Sequence, residues 1–142
     1  MIVIDTSVAS ELMRPSPSPL VRSWAEGQPV AGLYMTAITV AEIRYGIERL
    51  PEGRRKERFL AAADDVFISF SEFVIPFDAE AAASYALIVA HRDRVGLPID
   101  GFDAQIAAIC RIHGAVLATR NLKDFRETGI KVVDPWQASP CH

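Results

Sequence analysis

Acidic side chains stand at the points where short apolar runs stop or helix-like runs start. Asp5 closes the opening run of MIVID, Glu42 lies within TVAEIRYGI, and Asp103 directly precedes AQIAAIC. Asn121 follows the run ending LATR, and Asp124 comes three residues later in RNLKDF. In open α/β sheets the ligand crevice lies beyond the carboxyl ends of the strands, which is where Asp5, Thr119, Arg120 and Asn121 are expected. Carboxylates gathered in one pocket repel and raise one another's pKa unless a cation sits among them. An all-oxygen donor set suits Mg²⁺ or Mn²⁺ better than zinc, and Mg²⁺ typically combines a few protein ligands with water and substrate phosphate. That chemistry points to a phosphodiester, attacked in line by a water that the metal positions or activates.

Each of these residues also has a purely structural reading. Asp5 can cap a helix starting near Ser7, and Asp103 can cap the helix that begins with AQIAAIC. Thr39-Val40-Ala41-Glu42 matches a capping box, in which Glu42 would be the acid of the first turn. Asp100 competes with Asp103 after Pro98, and Asp103 is favoured because it directly precedes the helical run. Asp124 is either a receiver of a metal-bound water or a solvated first-turn acid. His91, His113 and His142 lack zinc-site spacing, and His113 beside Gly114 reads as a polar group at a helix C-terminus. The chain has no Gly-rich phosphate loop, GxSxG elbow or Cys-His pairing, so a hydrolytic site here has to be built from carboxylates.

The elements that must position these residues alternate along the chain. Apolar runs ending at Asp5 and covering Leu33–Ile38, Phe73–Phe77, Ala115–Thr119 and Lys131–Val133 predict five strands, separated by helix-like sequence. That pattern predicts an α/β sheet with parallel strands. Helices are predicted over Leu20–Glu26 with a stop at Gly27, Val40–Leu50, Arg54–Phe67, from Asp78 to Gly96, and from Asp103 to Gly114. The stretch PSPSP at Pro15–Pro19 is a loop rather than a domain linker, and residues 1–142 read as one domain.

The net charge of −3 argues against coating nucleic acid through overall basicity, so contact with phosphates has to be local. Arg44, Arg49, Arg54, Arg55, Lys56 and Arg58 offer one basic cluster, and Arg120 and Lys123 flank the fourth strand's end. With only Cys110 and Cys141, a disulfide framework is not expected, which fits a reducing, cytoplasmic setting. No apolar run reaches the roughly 18 residues of a membrane span.

Asp5 in VIDTSV, Glu42 in TAITVAEIRYGI, Asp103 in FDAQIAAIC, TRNLKDF and the closing VVDPW together resemble the signature of PIN-domain ribonucleases, specifically the FitB-like branch of VapC toxins. The resemblance spans nearly the whole chain. It implies a three-layer sandwich with a five-stranded parallel sheet of order 3-2-1-4-5 flanked by helices, which makes the first and fourth strands neighbours. It implies that Asp5, Glu42 and Asp103 are catalytic and bind Mg²⁺ or Mn²⁺, with Asn121 or Asp124 as a further ligand, and that Ser7, Arg44, Thr119 and Arg120 contact substrate or antitoxin. The family often has Asp where this chain has Asn121, which can ligate but brings no charge.

The expected function is an RNA-cleaving toxin in a toxin-antitoxin pair, with a homodimer, a VapB-like antitoxin, a toxin-antitoxin hetero-oligomer and no membrane association. A basic antitoxin side chain in the acidic groove would pair naturally with carboxylates. The Ile38, Tyr45 and Ile47 region reads either as core or as dimer surface. The alternative is a catalytically degenerate PIN module that binds RNA or a protein partner. A phosphoacceptor receiver domain lacks support, since no acidic pair follows the first strand. A phosphatase forming an aspartyl intermediate would need Asp where Ser7 stands.

Overall fold

Short β-branched segments form the middle layer because strands buried on both faces need no alternation with polar residues. The computed structural model, which describes residues 1–29 and 32–137, arranges β1 (Ile2–Ile4), β2 (Leu33–Thr36), β3 (Val74–Ile75), β4 (Val116–Ala118) and β5 (Lys131–Val133) in one parallel sheet of order β3-β2-β1-β4-β5. This is the order and sense that the resemblance implies. Around the sheet lie α1 (Thr6–Leu12), α2 (Pro19–Glu26), α3 (Ala37–Glu48), α4 (Arg54–Ser69), α5 (Ala79–Arg94), α6 (Gly101–His113) and a 3-10 turn (Leu122–Phe125).

Successive strand residues point to opposite faces, and the core divides accordingly. Val3 and Leu117 pack with Ile88, Ile106 and Ile109 of α5 and α6. Ile4 and Ala118 pack with Val8, Val21, Ile43 and Ala63 of α1 to α4. The result is three layers. The winding reverses between β1 and β4, where Ile4 pairs with Ala118 and the Asp5 amide donates to the Ala118 carbonyl at 3.0 Å.

Of the boundaries that differ from the sequence expectation, those at α3 and α6 bear on the site. The second strand stops at Thr36 rather than Ile38, and α3 begins at Ala37 rather than Val40. Extended Thr36 caps the helix, its Oγ1 accepting the Thr39 amide at 3.1 Å. The Thr39–Glu42 capping box therefore does not form, because both residues already lie inside the helix. Similarly, α6 is capped by Asp100 and not by Asp103: Asp100 Oδ2 accepts the amides of Phe102 at 3.0 Å and Asp103 at 3.3 Å.

The other caps agree with the sequence. Asp78 accepts the Ala81 amide at 2.9 Å to start α5, and Gly114 ends α6 in the left-handed region with φ of 60°. Buried Cys110 has its thiol pushed up to about 12, first by burial and then by the charge of Asp5, so it stays a thiol. Cys141 and His142 lie outside the described residues. Among the described residues no helix is long and apolar enough to cross a membrane.

Candidate active site

The turn from β1 into α1 fixes Asp5. Its backbone is extended, and its Oδ1 accepts the Val8 amide at 3.1 Å and the Ser7 hydroxyl at 2.5 Å. The nearby Thr119 hydroxyl helps to lower the Asp5 pKa, and Thr119 Oγ1 accepts the Asn121 amide at 3.0 Å. Ser7 Oγ accepts the Arg120 amide at 3.2 Å. Ser7 and Thr119 thus lash the ends of β1 and β4 together around Asp5. Burial raises the Asp5 pKa, and the hydrogen bonds from Ser7, Thr119 and the Val8 and Ser7 amides only partly counter it. Asp5 thus caps α1 through Oδ1 at the end of β1.

Glu42 is held by tertiary contact rather than by its own helix end. The Thr6 hydroxyl donates to Glu42 Oε1 at 2.7 Å and lies 3.2 Å from Thr39 Oγ1. Thr6 has a single hydroxyl proton, which ionised Glu42 takes, so the Thr39 hydroxyl must supply the proton of the second contact. Burial raises the Glu42 pKa, the Thr6 bond lowers it, and the charges of Asp100 and Asp5 add to the rise.

Asp103 sits in the first turn of α6, with its side chain free of capping because Asp100 does that work. Burial, then the charges of Asp100, Asp124, Glu42 and Asp5, push its pKa from 3.8 to about 6. Five carboxylates therefore share one electrostatic neighbourhood at the β1–β4 reversal. Sequence alone favours Asp103 over Asp100, yet the spacing of the two is that of a capping acid followed by a first-turn acid. Asn121 is exposed and makes no side-chain capping bond to the 3-10 turn that carries Asp124.

Among the described residues these acids have no ion-pair partner. Among the described residues, every ion pair involves other carboxylates: Glu11, Glu48, Glu52 and Glu127. No described group of three His, Cys, Asp or Glu side chains closes around a single point. An open, all-oxygen set of this kind fits a hard divalent cation that keeps part of its water shell, and does not fit a structural zinc cage. Asp5, Glu42 and Asp103 are the residues that would hold such a cation, with Asp100, Asp124 and Asn121 at the margin.

The basic residues are distributed unevenly. The Arg120 guanidinium lies 4.8 Å from the centre of the Trp136 ring, next to the end of β4. Arg44 stacks 4.7 Å over Phe67 of α4, and two residues along a helix place it roughly 200° around from Glu42. It faces α4 rather than the acids. Arg49 leans on Tyr45 at 5.8 Å. Lys56 is buried, with Nζ bonded to Glu52 at 2.9 Å and to the Glu48 carbonyl at 3.2 Å, which makes it a strut between α3 and α4. Arg55, over Phe59 at 5.6 Å, lines a groove that starts at Thr6 and Glu42 and continues past Gly46. Of the undecided apolar region, Ile47 is buried, Ile38 packs on the core and Tyr45 is exposed.

A doubly wound parallel sheet with an acidic crevice at its reversal point is the arrangement of a PIN domain. The PIN domain family model matches residues 2–131, and the chain belongs to that family. Within it, the chain is 38% identical over 138 residues to VapC ribonuclease Y4jK of Sinorhizobium fredii, covering 96% of this chain and 99% of that protein. It is 34% identical over 137 residues to toxin FitB of Neisseria gonorrhoeae, covering 96% and 99%. Among solved structures, a complex described as FitAB bound to an IR36 DNA fragment contains a chain that superposes with a TM-score of 0.91 at 34% identity, covering 100% of both chains.

Proposed function

We propose that this chain is a divalent-metal-dependent endoribonuclease, the toxin of a VapBC-type pair. The observation that carries the reading is the convergence of Asp5, Glu42 and Asp103 at the β1–β4 reversal, with raised pKa values and no basic partner among the described residues. Its similarity to a VapC ribonuclease and to toxin FitB supports the same reading. A bound Mg²⁺ or Mn²⁺ would neutralise the acids, stabilise charge on the scissile phosphate and lower the pKa of an attacking water.

The protein's own part is preorganisation. Ser7, Thr119 and the Val8 amide orient Asp5, Thr6 holds one oxygen of Glu42 and leaves Oε2 for other ligands, and Asp100 relieves Asp103 of capping. Arg120, steadied on Trp136, is placed to meet phosphate at the strand end. Asn121 contributes no charge, but Asp100 keeps the neighbourhood strongly acidic, which favours cleavage over a binding-only module.

The partners that follow are RNA, a VapB-like antitoxin whose basic side chain would neutralise the pocket, and a second copy of the chain. Mapping cleavage sites on total cellular RNA with antitoxin-free protein and Mg²⁺ or Mn²⁺ tests the reading, with a chelator and folded Asp5→Asn as controls. Metal-dependent cuts lost in both controls support the nuclease. An RNA profile unchanged by the active protein would favour the degenerate, binding-only alternative.

A further inference from the structure

Arg92, in the last turn of α5, is only 5% exposed, yet no carboxylate among the described residues pairs with it. Its guanidinium instead donates to four backbone carbonyls. Nε reaches Leu97 at 2.5 Å and Nη2 reaches Pro98 at 3.2 Å, while Nη1 serves Arg126 at 2.6 Å and Asp124 at 3.0 Å. A buried cation persists without a counter-ion only when its donors are satisfied, and here the carbonyl dipoles satisfy them.

The four carbonyls belong to two segments that are distant in sequence. Leu97 and Pro98 lie in the α5–α6 connection, with Pro98 two residues before Asp100 and five before Asp103. Asp124 and Arg126 lie in and just after the turn that follows Asn121. We propose that Arg92 is the positioning residue of the acid pocket: it clamps these two segments together and so sets the spacing at which Asp103 and Asp124 take up a divalent cation. This rests on the metal-dependent reading above.

The residue type follows from the geometry. A planar fork carries donors in several directions and reaches carbonyls on two sides, which the single ammonium of lysine cannot reproduce. Asp103 and Asp124 both carry negative charge, so segments left unclamped would be free to move apart. Groups that orient ligands in this way typically change metal affinity by about 10–100-fold when removed.

The test is Mn²⁺ binding to the full chain without RNA, read from the EPR signal of free Mn²⁺ at a temperature where each variant is folded. Arg92→Lys and Arg92→Met should weaken binding by about tenfold or more, and Asp103→Asn should weaken it further. Ile88→Val, in the same helix and fully buried, lowers stability and should leave affinity unchanged. Hydrogen exchange on the wild type gives a second measure: Mn²⁺ should slow amides of 97–104 and 122–128 together.

Wild-type affinity in both Arg92 variants, equal weakening by Ile88→Val, or protection of one segment alone would overturn the clamp and leave the nuclease reading standing. A wild-type protein that binds no Mn²⁺ would overturn both.

Discussion

Replacing Asp103 by Asn should make the metal-free protein more stable at neutral pH while removing its activity. The rise from 3.8 to about 6 corresponds to a nominal penalty of about 3 kcal/mol on the charged form, at about 1.4 kcal/mol per pKa unit. Asp103 is only half-buried, and solvent screening brings this to about 1–1.5 kcal/mol.

The sign follows from proton linkage. The folded pKa lies above the unfolded one, so the protonated form's advantage is complete below about 3.8 and is lost as pH climbs through about 6. Asparagine never ionises, so its gain over the wild type grows roughly threefold between about pH 4.5 and pH 7.5. Urea unfolding of chelator-treated protein measures this, as a midpoint about 0.5–1 M higher for Asp103→Asn at the upper pH. Saturating Mg²⁺ should narrow or reverse the difference by stabilising only the protein that binds it. A variant destabilised at both pH values, or displaced equally at both, would show that the fold does not penalise the charged form of Asp103.

The same geometry predicts four further outcomes. Mn²⁺ affinity should fall as pH drops below about 6, because protons compete for Asp103 first; titrations at stepped pH measure it. Thr6→Val removes the donor to Glu42 and should lower the single-turnover cleavage rate about tenfold with the fold intact by circular dichroism. Thr36→Ala deletes the α3 cap and should cost about 1 kcal/mol, seen by calorimetry as a melting temperature lower by a few degrees. Asn121→Asp adds a charge beside the pocket and should tighten Mn²⁺ binding by about tenfold in isothermal titration.

Much of this architecture was legible from short-range pattern. Apolar runs located all five strands, with β5 at its observed bounds, and Asp78 and Gly114 were readable as caps because capping is a local matter. The start of α3 was not, since Ala37 and Ile38 prolong the apolar run of β2 and hide the Thr36 cap, making Glu42 look like the acid of a capping box. What holds the Glu42 carboxylate is the hydroxyl of Thr6, 36 residues away, a contact no local pattern encodes. Closeness to the apolar run hides the role of Asp100, because the cap is set by its carboxylate reaching the Phe102 and Asp103 amides. The internal bonds of Ser7 to Asp5 and the Arg120 amide, and of Thr119 to the Asn121 amide, are likewise invisible to local pattern where they join β1 to β4.

Glu42 lies six residues into a helix whose first turn is anchored at Thr36. Adding or deleting one residue between them would swing the carboxylate about 100° around the axis and shift it about 1.5 Å along it. The Pro15–Ser18 loop, tied to α1 by the Ser18 amide on Glu11, carries none of the acids and is under no such constraint. Relatives that diverge by insertion should therefore vary freely in that loop and keep a fixed count of residues from the threonine cap to the glutamate.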